Sequence, residues 1–186
     1  MRLGTTYLFV MGACIVATYV QAQSRYITSR GEISFTSEAP LEVIKAQSKE
    51  LRGAIDADKK TFAFTVPVKS FEGFNSPLQR EHFNENYMES TQYDKATFNG
   101  KIIEQIDFTK DGEYEVRAKG KLNVHGIEQE RIIKATISAK GGKLTVRSSF
   151  AVLLEEHGIA IPKIVYQKIA DEIQLKVEAV FTMQGR

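Results

Sequence analysis

Cysteine and tryptophan are almost missing from this chain of 186 residues: it has one cysteine, Cys14, no tryptophan, and only three histidines. A lone cysteine excludes a disulfide framework and a thiolate-rich zinc site, each of which needs several cysteines at defined spacings. No charge sign prevails either. Lys and Arg number 25 against 23 Asp and Glu, the two signs are interleaved, and the formal net charge is +2, so the chain carries no electrostatic footprint for nucleic acid. Neither a glycine-rich phosphate loop nor a Gly-x-Ser-x-Gly elbow occurs, which removes the usual sequence signals for nucleotide binding and for a serine nucleophile.

One long apolar run is present, Leu3 to Val20, preceded by Arg2 and closed by Val20-Gln21-Ala22. A basic start, an apolar stretch and small residues at the exit are the marks of a secretory leader. We therefore expect residues 1–22 to be a signal peptide and residues 23–186 to form one mature domain starting at Gln23. The run is at the short end for a membrane span and no basic stop-transfer cluster follows it, so no stable span is expected after cleavage. Met11-Gly12-Ala13-Cys14 has the outline of a lipoprotein box, but apolar residues continue well past Cys14, which argues against lipidation. Removing 22 of 186 residues leaves 164, enough for one domain with a sizeable core. An exported domain without disulfides must rely on packing and backbone hydrogen bonds, which suits a bacterial periplasm.

Period-two alternation fills the chain from residue 95 onward. In "EYEVRAKGKLNVH" the residues Tyr114, Val116, Ala118, Leu122 and Val124 alternate with charged ones, the pattern of a strand with one wet face. Asp111-Gly112, His125-Gly126 and Gly141-Gly142 are spaced as tight hairpin turns, because glycine supplies positive φ at no steric cost. Residues 95–153 thus read as a four-stranded antiparallel meander. "EIQLKVEAVFTM" places Ile173, Leu175, Val177, Ala179, Phe181 and Met183 on one face, and "TFAFTVPVK" does the same with Phe62, Phe64, Val66 and Val68. Pro67 cannot donate to a ladder and belongs near a strand end or edge. With "GEISFTS" and "SKELRGAID" the count reaches about eight strands by the alternation rule, which predicts an all-β closed barrel or a sandwich.

Two segments break the alternation. "IPKIVYQKIAD" has Pro162 at a helix-start position and predicts a short helix. Ser76-Pro77-Leu78-Gln79 is a capping-box pattern, predicting a helix over Pro77 to Met88. At 100° per residue Leu78 and His82 share a face, while Phe83 and Tyr87 lie about 140° to 180° away. Two apolar stripes require two partners. A helix wedged between a barrel mouth and flanking loops that carry Phe71, Phe74 and Tyr93 would supply both.

These residues carry a family resemblance. "LQREHFNENYMESTQYDKATFNGKI", the Gly120-Lys121-Leu122-Asn123-Val124-His125-Gly126 turn, "GKLTVRSSFAVLLEEHGI" and the closing alternating strand resemble the YceI-like proteins over nearly the whole mature chain. Most distinctive is Arg80-x-His82 followed by the strand entry Ala96-Thr97-Phe98. The resemblance implies an exported, eight-stranded antiparallel lipocalin-like barrel with one or two short helices, enclosing an elongated apolar cavity that holds a polyisoprenoid or similar lipid. This chain departs from the family pattern at Phe83, where a leucine is common, and at "ENYMES", where Asp-Phe-Phe is common, so its cavity floor and ligand choice can differ.

His82 with Glu81, Glu85 and Glu89 invites a metal or acid–base reading. The other two histidines fall in a turn and a loop entry, however, and a thiolate is lacking in the mature chain, so neither a metal nor a catalytic residue is assigned. Ser148 is read as an inward or interstrand hydroxyl. The protein is then expected to be a periplasmic lipid-binding protein and not an enzyme, with no cofactor beyond bound lipid, and as a monomer or a homodimer. Ligand contacts are expected from the inward strand residues Phe62, Phe64, Val66, Phe98, Val146, Phe150, Leu175 and Val177. Further contacts are expected from Phe74, Leu78, His82, Phe83 and Tyr87 around a lid that closes the mouth. The rival reading is a fully packed barrel whose loops bind another envelope component, because alternation reports burial and does not separate a filled core from a cavity.

Overall fold

The computed structural model describes residues 24–184; the expected leader, Cys14 and the cleavage point lie outside them. Eight strands follow one another around a closed barrel: β1 (Arg25–Glu38), β2 (Val43–Asp56), β3 (Thr61–Pro67), β4 (Lys95–Ile102), β5 (Gly112–Val124), β6 (Ile127–Lys140), β7 (Lys143–Leu153) and β8 (Glu172–Met183). Each pairs antiparallel with the next, and β8 returns to β1 with Ile33 opposite Val177. Closure leaves no strand edge unpaired.

The alternation survives as burial. Val116 and Leu122 on β5, Ile133, Ile137 and Ala139 on β6, Leu144, Val146 and Val152 on β7, and Ala179 and Phe181 on β8 are all buried. Each large apolar side chain taken from water contributes about 1.5–3 kcal/mol. Pro67 is the last residue of β3, where its missing N–H costs least. The His125-Gly126 turn has φ of 52° and 75° and the Gly141-Gly142 turn has 54° and 74°, as tight hairpins require.

Three expectations need correction. Asp111-Gly112 is not a hairpin turn: Gly112 opens β5 opposite Ala139, and residues 103–111 form the whole β4–β5 connection. β1 and β2 both extend beyond their sequence signals, β1 back to Arg25 and β2 back to Val43, with register shifts between Thr28 and Ile33. The segment after Pro162 makes only a single 3₁₀ turn, Lys163–Val165.

The barrel has two unlike ends. At one, the 103–111 loop folds over the interior, and buried Phe108 meets Tyr26 edge-on at 6.4 Å between centroids. This end is plugged. At the other end gather the 39–42 turn, the long β3–β4 crossing of residues 68–94, the His125-Gly126 turn and the 154–171 loop. Helix α1 (Pro77–His82) lies in that crossing and runs on as one wide turn of π-helix, Phe83–Tyr87.

Candidate functional site

Inside the barrel an apolar space extends from the plug toward the mouth in two lobes. The inner lobe, about 130 Å³, is walled by residues such as Phe62, Phe64, Phe98, Ile137, Val146 and Phe150. The outer lobe, about 480 Å³, lies under the mouth segments. Ile33, Val66, Ala96, Val124, Val152 and Leu175 border both lobes, so the two lie end to end and share one ring of wall residues as a waist. Phe62 sits against Phe98 with centroids 4.9 Å apart, and Phe64 meets Phe181 edge-on at 5.6 Å. The inner polar groups are few. Ser148 is one of them, and its Oγ donates to the Lys134 carbonyl at 2.7 Å, so its hydroxyl is already engaged within the wall.

The lid is built from local chemistry. Ser76 caps α1, its Oγ accepting from Gln79 N at 3.2 Å, with Pro77 at the first helical position, where a missing N–H is harmless. The Gln79 side chain completes the cap one residue further back than a capping box would, accepting from Asn75 N at 3.0 Å. Gln79 Nε2 and Asn75 Nδ2 both donate to Glu42, which ties the helix to the 39–42 turn. At the far end Glu89 Oε2 lies 3.2 Å from His125 Nε2, while His125 Nδ1 donates to the His157 carbonyl at 3.1 Å. Tyr93 packs edge-on against His125 at 4.5 Å.

The π-turn reorganises the helix faces. Met88 N donates to Phe83 O, a five-residue step, so the 100° spacing no longer holds beyond His82. Leu78, His82, Phe83 and Tyr87 consequently all border the one outer lobe, and the expected pair of separately partnered stripes is not formed. Nor do Leu78 and His82 anchor the helix, since both are exposed. The anchor is Phe83, which joins Phe35, Phe71 and Phe74 at centroid distances of 5.5, 5.9 and 5.0 Å.

Burial pushes the Tyr87 phenol above its ordinary pKa, keeping it a neutral hydroxyl group beside the outer lobe. His157 is fully buried, and burial holds its imidazole below the usual value. Its Nδ1–H donates to the Ile127 carbonyl at 3.1 Å, which fixes the tautomer. Glu89 faces His125 rather than His82. Among the described residues no three His, Cys, Asp or Glu side chains come together as a metal-ion group.

All thirteen residues named from the sequence border this space. Phe62, Phe64, Val66, Phe98, Val146, Phe150, Leu175 and Val177 wall the inner lobe, and Phe74, Leu78, His82, Phe83 and Tyr87 the outer. Others were missed. Val116, Ala118, Ile133 and Ala135 on β5 and β6 line the inner lobe as well, and the same alternation that found Phe150 would have found them. Ile44 borders the outer lobe from the start of β2, and Val165, Lys168 and Ile169 from the 154–171 loop.

A closed antiparallel barrel of eight strands with an apolar interior and a helix across its mouth is an architecture that can hold one small ligand, as lipocalin-like barrels do. Residues 25–181 match the YceI-like domain, and the chain belongs to that family. No curated protein matches the sequence. Among solved structures, a polyisoprenoid-binding domain from Saccharophagus degradans implicated in plant cell wall breakdown is similar at a TM-score of 0.74 and 10% identity, covering 88% of this chain and 100% of that one. BcnA of Burkholderia cenocepacia gives 0.67 at 18% identity, covering 81% and 95%. The YceI protein of Campylobacter jejuni gives 0.55 at 14% identity, covering 99% and 100%. At such identities the likeness concerns the fold.

Proposed function

We propose that the protein is a periplasmic carrier that holds an elongated apolar lipid, a polyisoprenoid or a similar chain, inside its barrel. The observation that carries this reading is the two-lobed apolar space with a shared waist, plugged at one end and roofed by a lid at the other. A fully packed barrel would have no such space. The outer lobe alone, at about 480 Å³, is in the range of small-molecule sites, which run from about 300 to 1,000 Å³. Burial of one five-carbon isoprene unit is worth roughly 3–4 kcal/mol at about 0.8 kcal/mol per carbon group, so a few units offset the ordering costs of association. The walls offer hydrocarbon and few hydrogen-bond donors, which suits binding better than proton transfer. The family assignment and the polyisoprenoid-binding relative support the same ligand class.

Titration with a fluorescent long-chain probe tests the reading. The mature protein is expected to bind the probe at a single site, and Ala118→Phe, which fills the inner lobe, to weaken binding at least tenfold. A probe that fails to bind, or that binds the filled barrel equally well, would contradict it.

A further inference from the structure

Around the mouth of the cavity lie large apolar side chains that are exposed to solvent. Ile164 is 91% exposed, Leu41 67%, Tyr166 63% and Leu78 57%. These are the four most exposed large apolar residues among those described, apart from Ile132 at 59% on the outer wall of β6. The four belong to three segments that are held together. Leu41 N donates to the Gln167 carbonyl at 2.8 Å, joining the 39–42 turn to the 163–168 segment. Gln79 and Asn75 join α1 to the same turn through Glu42, and Leu78 borders the outer lobe together with Val165, Lys168 and Ile169. The exposed apolar groups therefore form a rim continuous with the cavity mouth.

Composition narrows what this rim meets. Lys163 and Lys168 bracket Ile164, Val165 and Tyr166, and neither lysine has an ion-pair partner among the described residues. An exposed aliphatic and a tyrosine between lysines is the chemistry of a segment that sits at a bilayer interface, with the apolar tips among acyl chains and the ammonium groups among headgroup phosphates. We propose that the mouth docks on a phospholipid surface through Leu41, Leu78, Ile164 and Tyr166, with Lys163 and Lys168 against anionic headgroups, and that the ligand passes between cavity and bilayer at that contact. The inference rests on the carrier reading, and it explains how a chain with almost no aqueous solubility enters and leaves. Glu42 and Glu81 stand on the same segments, with Glu38, Asp171 and Glu172 at strand ends beside them, and these carboxylates temper the attraction to anionic lipid. The contact is therefore reversible, driven by apolar insertion and only moderately weakened by salt.

The test uses the mature chain loaded with a fluorescent long-chain probe and vesicles of phosphatidylethanolamine and phosphatidylglycerol. Flotation should recover wild-type protein with the vesicles. Ile164→Glu should lose at least tenfold in recovery, and the Lys163→Glu/Lys168→Glu double variant severalfold. Ile132→Glu, also at an exposed isoleucine but on the barrel wall, should behave as wild type. Probe transfer to vesicles should quicken in proportion to vesicle concentration, and Ile164→Glu should slow it about tenfold while holding the probe as tightly in vesicle-free buffer and melting at the same temperature. Wild-type protein that holds probe but does not float, a transfer rate independent of vesicle concentration, or equal losses in Ile132→Glu would overturn the docking proposal and leave the carrier reading standing. A dimer in sedimentation that Ile164→Glu abolishes would overturn it by assigning the rim to a second copy of the chain. Failure to hold the probe in buffer would instead count against the carrier reading itself.

Discussion

The ring of Phe83 stacks on that of Phe35 from β1, with centroids 5.5 Å apart and planes 22° from parallel. This pair joins the lid to the barrel wall. Phe83 is only half-buried, so its removal costs less than the about 3–5 kcal/mol typical of a core phenylalanine. Phe83→Ala should release a bound apolar probe severalfold faster while lowering stability by only about 1–2 kcal/mol, since lids are drawn from the less stable parts of a structure. Stopped-flow probe release and thermal melting read the two effects. A full core penalty with unchanged release would make residues 76–90 part of the packed interior rather than a lid.

The wall has a wet side and a dry side. Phe64 faces Phe62 and Phe181, whereas Lys119 is exposed and lies directly opposite Lys101. Phe64→Asp buries an unpaired carboxylate and should cost about 3 kcal/mol or more, or empty the cavity. Lys119→Asp replaces a like-charge cross-strand pair with an opposite one and should stay within about 0.5 kcal/mol of wild type. Thermal unfolding with and without probe makes the comparison, and equal losses would mean that the inward and outward faces have been exchanged.

Gly100 and Gly120 face each other across β4 and β5. A Cβ on Gly100 would run into the Lys119 carbonyl oxygen and lie 2.6 Å from the Gly120 Cα, so the strands meet there only because both residues lack side chains. Gly100→Ala should sharply reduce the yield of folded protein. Gly141→Ala, at a turn with φ of 54° and open space around it, should cost only about 1 kcal/mol of backbone strain. Circular dichroism melts of the two variants decide it: equal behaviour would mean the β4–β5 contact relaxes freely.

Much of this fold was legible because alternation survives wherever a strand is unbroken. β5 to β8 have one parity from end to end, and their inward residues follow directly from the sequence. β1 hid its stretch before Gly31 and β2 its stretch before Ser48, because both contain a register break: inward positions pass from Tyr26 to Gly31, Ile33 and Phe35 on β1, and from Ile44, Ala46 and Ser48 to Leu51 and Ile55 on β2. An extra residue exchanges the two faces, so one period-two template can match only one side of the break. The lid face was misjudged for a related reason, since the π-turn at Phe83 changes the angular step. The mouth residues of the 154–171 loop owe their place to tertiary hydrogen bonds such as Leu154 N to the Asp171 carbonyl, and these leave no local pattern.

Acid should weaken the mouth through His157. Burial lowers its folded pKa below the usual value of about 6.5 for an unfolded chain. The unfolded state then binds the proton more readily, so stability is fully present above about pH 6.5 and falls as pH drops toward the depressed folded value. Melting midpoints should decline between about pH 7 and 5.5, and His157→Asn, less stable at every pH, should flatten that slope. A slope unchanged in the variant would assign the decline to other groups.

Organic extraction of protein purified from its native cells without added lipid, followed by mass spectrometry, tests the carrier reading most directly. The account predicts one class of long-chain apolar lipid at close to one molecule per barrel, reduced at least tenfold in Ala118→Phe. An extract without lipid, from a folded protein that also fails to take up a long-chain probe, would contradict it.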